Sequence, residues 1–435
     1  MTSPTPDFGE PAEPASEPAA PTPAPHGGDA VPAAQQPQPL QPEQPEQPQQ
    51  QPQQQAPAQP PQWAWAVPPP APQWRETPPL EYHQLLRGAR RYRWWKPLLL
   101  VVLATIYYLT LSVAFGLLVM LPYLAVSGVD PLASDALMDL SIPDTQNPMS
   151  MLLTLGSVAL MLPAALLAML SVGLTPSKRL WSVALRIRWR WIWRTLLPAV
   201  GSLLVMNALG IALSFVFEPG EAAEEFTPLP GLDMTAALWS IVIALLLVPL
   251  QATAEEVVYR GMFMQTLGAW LGGARGGNAI TAFLRGPWLP IAIPAIAFGF
   301  SHIYDVWGWI SVVMLALVAG WLSVRTGGLE AAISLHVVNN VVAFVVMATG
   351  AGGDTKQTSD GGGPSSAIMA LVGFGLYAWW VDRDFRRRDG VRTRIDLVEV
   401  AAAPVAPAMP AAPGAPMPST PPPGASATDP GRHDA

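Results

Sequence analysis

Between Pro97 and Val381 the chain alternates long apolar runs with short polar stretches. The runs mark eight candidate membrane spans, near 97–126, 149–173, 195–217, 236–266, 287–303, 307–325, 329–349 and 365–381. About 20 apolar residues wound as a helix rise roughly 30 Å, the thickness of the hydrocarbon core of a bilayer. The fifth run is short and carries Pro287, Pro290 and Pro294. Prolines at that depth need neighbouring helices to satisfy the backbone groups they free, so the ends of this span are the least defined. The pattern predicts an all-α fold, a polytopic membrane helix bundle of about eight transmembrane helices.

The ends of the chain read differently. Residues 1–80 are Pro, Gln, Ala and Glu, with QPEQPEQPQQQPQQQ at 41–55 and no Lys or Arg before Arg75. Residues 396–435 form an Ala/Pro-rich stretch ending PPPGASATDPGRHDA. Such sequence has too little apolar surface to offset chain ordering, which predicts disordered tails, locally extended as polyproline II. Either tail offers a Pro-recognising partner a ligand, although solvated low-complexity sequence is the simpler reading. The first apolar run begins only near Pro97, which predicts no signal peptide. The expected division is a tail at 1–80, a juxtamembrane segment with two spans at 81–194, a core at 195–350, a last span with a basic flank at 351–395, and a tail at 396–435.

Composition agrees. Half of the 435 residues are apolar, only 13% are charged, and mean hydropathy is +0.28. An ordinary soluble enzyme carries about 25% charged residues and could not hide runs of this length. With no cysteine, disulfides, thiolate metal sites and a cysteine nucleophile are excluded.

The net charge of −7 conceals a sorted distribution. Arg87, Arg90, Arg91, Arg93 and Lys96 precede the first span. Lys178, Arg179, Arg186, Arg188, Arg190 and Arg194 fill the second loop, interleaved with Trp189, Trp191 and Trp193. Arg275 and Arg285, then Arg325, then Arg383 and Arg386–388 follow in every other loop. The alternate loops hold Asp130, Asp135, Asp139 and Asp144, then Glu218, Glu221, Glu224, Glu225 and Asp233. Basic loops face the cytoplasm, so both termini are expected there. The basic, Trp-rich stretch at 186–194 reads as an anchor at a lipid interface rather than a nucleic-acid site.

Ionisable groups inside spans are costly and count as functional candidates. Glu255, Glu256 and Arg260 lie late in the fourth span, in ATAEEVVYRGMF; His302 ends the fifth, in AFGFSH; His336, Asn339 and Asn340 lie in the seventh, in SLHVVNN. Glu256 and Arg260 are four apart with the acid first, the favoured order for a helical ion pair. That leaves Glu255, about 100° around the helix, to face another neighbour. His336 and Asn340 share a face, as do Phe298 and His302. Counted from the cytoplasmic ends, His336 lies about 10 Å deep, Glu256 about 15 Å and His302 about 20 Å. These levels are close enough for one water-filled cavity open to the cytoplasm.

A carboxylate can take a proton from water, while imidazole and amide groups can hold a metal or a developing oxyanion. Two imidazoles and a carboxylate also suit Zn²⁺ with an open water position. The set fits water attack on a peptide carbonyl inside the membrane. Other designs fail on residues: HExxH is absent, Ser301 in GFSH lacks the final Gly of GxSG, and Asp305 has no intramembrane Asp partner.

The EExxxR of Glu255, Glu256 and Arg260, the FxxxH of Phe298 and His302, and the HxxxN of His336 and Asn340 resemble the three motifs of the CPBP intramembrane proteases. That family takes in the CAAX prenyl endopeptidases and the bacteriocin-processing and immunity (Abi) proteins. The resemblance covers roughly residues 195–350. It implies that Glu255 is the general base, with His302 as its partner. His336 and Asn340 would stabilise the oxyanion or, for His302 and His336, ligate a metal. Glu256 would assist, with Arg260 and Phe298 as structural support. It implies an intramembrane endopeptidase, of metalloprotease or glutamate type, acting on a peptide or membrane-protein substrate in a bacterial plasma membrane. Prenylated substrates are not expected in such a host. The competing reading is a non-proteolytic scaffold or regulator of a sensor, immunity or secretion partner. A proton-coupled transporter would show internal repeats, and the spans contain none.

Overall fold

The computed structural model describes residues 72–128, 134–217, 220, 229–351, 354–359, 363–388 and 390–400. The rest of the two tails, and the acidic stretch at 221–228, lie outside the described residues.

Apolar runs become helices where the sequence predicts them. In chain order these are α1 (Lys96–Ser127), α2 (Ser134–Ser141), α3 (Pro148–Ala159), α4 (Met161–Val172), α5 (Trp189–Phe217) and α6 (Met234–Glu256). A π-helical segment, Val257–Phe263, follows α6 without a break, and α7 (Met264–Leu271) completes that span. Then come α8 (Ala279–Arg285), α9 (Trp288–Phe300), α10 (Val306–Thr326), α11 (Glu330–Thr349) and α12 (Pro364–Arg386). Among the described residues seven helical stretches are long and apolar enough to cross a membrane, and an eighth if α8 and α9, bent by 51°, count as one. The chain is a multi-pass, all-α membrane protein. The second span is divided at Leu160, just before Pro163, whose missing N–H cannot continue the ladder. The fifth is the irregular one, as its prolines require.

The connections fall into two sets at opposite ends of the bundle. At one end Asp233 N–H donates to Gln146 (2.7 Å), Gln357 N–H to the Pro143 carbonyl (2.9 Å), and Asp305 N–H to the Ser359 carbonyl (2.7 Å). At the other, Val183 N–H donates to the Gly327 carbonyl (2.9 Å) and Leu329 N–H to the Trp181 carbonyl (2.9 Å). Lys356 is the only Lys or Arg in the loops of the first set, so the second end is the basic one.

A small cap covers the basic end, built from sequence expected to be disordered. Strand β1 (Gln73–Glu76) pairs antiparallel with β4 (Leu397–Val400), and β2 (Leu80–Glu81) with β3 (Thr393–Arg394). The ordered part therefore extends beyond the expected tail boundaries at 80 and 396 toward both chain ends, since the pairing reaches Gln73 on one side and Val400 on the other. The physical reason is a buried ionic knot. Arg179 donates to Asp396 (2.7 Å) and to the Gly88 (2.6 Å) and Leu85 (3.2 Å) carbonyls, while Arg394 reaches the other Asp396 oxygen (2.7 Å). Burial would raise the Asp396 carboxyl, but hydrogen bonds and charge from Arg179 and Arg394 outweigh it and hold the pKa below the ordinary aspartate value. A 3₁₀ helix, Tyr82–Gly88, then lies against α7, where a Cβ at Gly268 would fall on the His83 carbonyl. Only glycine permits that approach.

Arg188, expected as part of a lipid anchor, is tied instead to Glu330 at the start of α11. Its Nε and Nη2 donate to the two carboxylate oxygens (2.9 and 2.6 Å). This two-pronged contact fixes α11 against the loop before α5. One apolar cluster packs α5, α9, α10, α11 and α12 around Phe298 and Tyr377; another joins the cap to α1 and α4.

Candidate active site

α6, α9 and α11 bring the polar residues of the three motifs to one place. Glu256 is fully buried, and its Oε1 accepts from Arg260 Nη1 (3.0 Å) and from His336 Nδ1 (2.8 Å). The first contact is the helical ion pair that the spacing predicts; the second joins α6 to α11. The π-helical segment begins one residue after Glu256. Such segments insert an extra residue into a turn and recur at functional sites, here carrying Tyr259 and Arg260.

Glu255 is held differently. Its Oε2 accepts from Gln251 Nε2 (2.6 Å), one turn earlier, and lies 3.4 Å from His336 Nε2. The latter is a close charge contact that lacks hydrogen-bond geometry. Its Oε1 has no hydrogen-bond partner among the described residues, yet is not among the sealed polar atoms, which do include Glu256 Oε2 and Arg260 Nη2. Thus Glu256 is committed to two cations or donors, and Glu255 keeps one oxygen for another molecule. That difference between adjacent carboxylates is what a general base requires.

Gln251 is a site residue that the sequence analysis did not single out. Its Oε1 accepts from Asn340 Nδ2 (3.4 Å), and Asn340 Oδ1 accepts from Asn339 Nδ2 (3.1 Å). One amide thus links the Glu255 carboxylate to the Asn pair of α11. The signal was available: Gln251 precedes Glu255 by four residues inside an apolar run.

Phe298 forms the wall. Arg260 lies over its ring (4.6 Å), while Tyr259, His302 and His336 meet it edge-on at 5.0, 4.7 and 5.6 Å between centroids. His302 stands in the turn after α9, half-buried, with Nδ1 2.8 Å from the Phe298 carbonyl. A carbonyl only accepts, so Nδ1 carries the hydrogen and Nε2 of the neutral ring is an acceptor. The ring also stacks on Tyr304 at 6.0 Å. Among the described residues no hydrogen bond or ion pair joins His302 to Glu255; the imidazole beside Glu255 is that of His336.

Exposure along α11 is graded. Residues 330–336 of α11, next to the basic end, are all buried, whereas most from Val337 onward are partly exposed. The Arg188–Glu330 contact lies at the start of this buried stretch.

The donors do not assemble as a zinc site. Among the described residues no three His, Asp or Glu side chains are grouped to hold a metal ion, and both nitrogens of His336 face carboxylates. The chemistry is therefore derived without a metal.

Residues 236–342 match the family model described as type II CAAX prenyl endopeptidase Rce1-like, and this range contains every motif residue described above. This segment is of the CPBP family. The matched CPBP segment is narrower than the 195–350 suggested by the motifs, beginning at α6 and ending within α11. The chain is also similar to the uncharacterized protein YyaK of Bacillus subtilis (strain 168), 24% identical over 164 residues, or 36% of this chain and 47% of that protein. The chain thus spans about half the length of that relative. No solved structure matches.

Proposed function

We propose that the CPBP segment is an intramembrane endopeptidase in which Glu255 activates a water molecule. The observation that carries this reading is the unequal pair: Glu256 locked by Arg260 and His336, Glu255 with a free carboxylate oxygen beside an aromatic wall. Glu255 Oε1 takes a proton from water as the oxygen adds to the peptide carbonyl. The resulting oxyanion needs a donor, and the Asn340 amide is the neutral group of the site suited to that task. The proton held by Glu255 then passes to the amide nitrogen, and the C–N bond breaks. Glu256, through His336 Nδ1, fixes the imidazole at the base; Arg260 and Phe298 hold Glu256 and the two rings.

The substrate on this reading is a peptide or protein embedded in the bilayer, reaching the site past the partly exposed portion of α11. The basic end is the cytoplasmic one, since the Lys and Arg of the loops collect there. A bacterial plasma membrane is the setting supported by the Bacillus relative.

The test uses purified full-length protein in proteoliposomes with a panel of quenched fluorescent transmembrane peptides, prenylated and not. Wild type should cleave at least one peptide. Glu255→Gln should lower the rate at least 100-fold, the scale of a lost acid–base group. Cleavage by Glu255→Gln at the wild-type rate overturns the mechanism. A wild type that cleaves nothing in the panel, with Glu255→Gln fully supporting a cellular phenotype, favours the scaffold reading. Zinc content is measured on the same preparations; one zinc per chain, lost in His336→Ala, would overturn the metal-free derivation.

A further inference from the structure

At the basic end, away from the glutamates, the turn before α1 and the end of α7 line an open surface cavity of about 500 Å³. Its walls include Arg87, Tyr92, Trp94, Leu98, Trp270 and Gly273. They are stitched together: Arg87 Nη1 donates to the Ala269 carbonyl (2.9 Å), and Trp270 Nε1 to the Trp94 carbonyl (2.6 Å).

Arg87 is the cation that lines the cavity, and further cations lie close to it in the chain. Arg87, Arg90, Arg91, Arg93 and Lys96 lie on one wall's segment, Arg275 on the loop after α7 and Arg285 at the end of α8, and none of the seven forms an ion pair with a carboxylate among the described residues. Neither contributing segment could neutralise itself, because 82–128 and 257–304 contain no Asp or Glu at all. Some cations at this end are matched (Arg179 and Arg394 by Asp396, Arg188 by Glu330, Arg325 by Asp382), while Lys178, Arg186, Arg190, Arg194, Arg383 and Arg387 likewise form no ion pair among the described residues. The cavity also opens onto apolar surface. Leu98 is 51% exposed, and Val102 and Ile106 carry the same exposed stripe along α1.

We infer that this cavity is a binding site for an anionic glycerophospholipid, with the phosphate among the arginines and an acyl chain along Leu98, Val102 and Ile106. A free phosphate would leave the apolar half uncovered, and a neutral lipid would leave the cations unmatched. Tyr92, Trp94 and Trp270 take the headgroup–chain boundary, where amphipathic rings settle. The lipid would bridge α1 to the end of the span that carries Glu255, and the inference stands apart from the proposed peptidase activity.

The experiment is native mass spectrometry of full-length protein in detergent, titrated with dioleoyl-phosphatidylglycerol or dioleoyl-phosphatidylcholine. Wild type should retain one phosphatidylglycerol in preference to phosphatidylcholine. Arg91→Gln/Arg93→Gln should weaken that binding on the order of tenfold or more, since each basic residue near an anionic surface contributes roughly a fivefold factor. Arg383→Gln/Arg387→Gln, at the other basic cluster, should leave it unchanged, with folding of both checked by their melting profiles. Equal retention of the two lipids, equal losses in the two variants, or full displacement by glycerol 3-phosphate would each overturn the proposal. Should the first double variant not fold, Trp94→Ala serves in its place, with the same outcomes.

Discussion

Arg260 is where the site meets stability. Its guanidinium is 2% exposed, lies 3.0 Å from Glu256 and covers the Phe298 ring at 4.6 Å. Arg260→Met keeps the length and apolar contact of the side chain but leaves Glu256 buried with His336 as its one remaining partner. Removing one member of a buried ion pair costs about 3–5 kcal/mol, chiefly through the charge left behind. For a bundle of this size that corresponds to a fall in melting temperature of about 5–8 °C. Removing both charges leaves no stranded carboxylate, so Arg260→Met/Glu256→Gln should recover more than half of the loss. The assay is thermal unfolding in detergent, followed through the intrinsic tryptophans, on wild type, both single variants and the double. A double variant that melts at the sum of the two single losses would refute the coupling, and with it the view that Arg260 acts by balancing Glu256.

Three further outcomes are expected. Gln251→Ala frees the Glu255 carboxylate and the Asn340 amide together, so any peptide hydrolysis found for wild type should fall by about 10- to 100-fold with little change in melting; unchanged kcat would remove Gln251 from the site. The depressed pKa of Asp396 stabilises the cap above the unfolded aspartate value near 4. That contribution is lost as pH falls through the lower folded value, so the cap should hold at neutral pH and open in acid. Spin labels at Trp74→Cys and Glu399→Cys in this cysteine-free chain report the opening; separation on raising the pH instead would contradict the sign. Single cysteines at Gly277 and Ser359 should react with a membrane-impermeant maleimide from opposite sides of sealed vesicles, and labelling from one side would overturn the even-span topology.

What could be read from the sequence follows from the range over which each signal acts. Spans and motif phases are local: a 20-residue apolar run or an i, i+4 pair carries its meaning within itself, so α1, α5, α10 and α11 appear near their expected limits. Their distribution of Arg and Asp placed the chain ends together. The strands were invisible because Gln73 pairs with Val400, more than 300 residues away, and neither segment alternates strongly enough to declare itself. Arg188 looked like a lipid anchor because its partner, Glu330, lies 142 residues on. The placing of His336 rather than His302 beside Glu255 depends on how α9 bends and where it stops, which its three prolines made the hardest feature to read.

Because Gln73 and Val400 are neighbours across one ladder, the proline-rich sequences beyond them start from a common stem. A ligand with two proline-binding modules, once attached to one, meets the other at an effective concentration that short tethers place near the millimolar range. Two weak grips would then act as a firm one without a single new contact. The 3₁₀ helix that follows this stem lies against the helix that finishes the Glu255 span, so the root shared by the two tails and the catalytic span are neighbours in the fold.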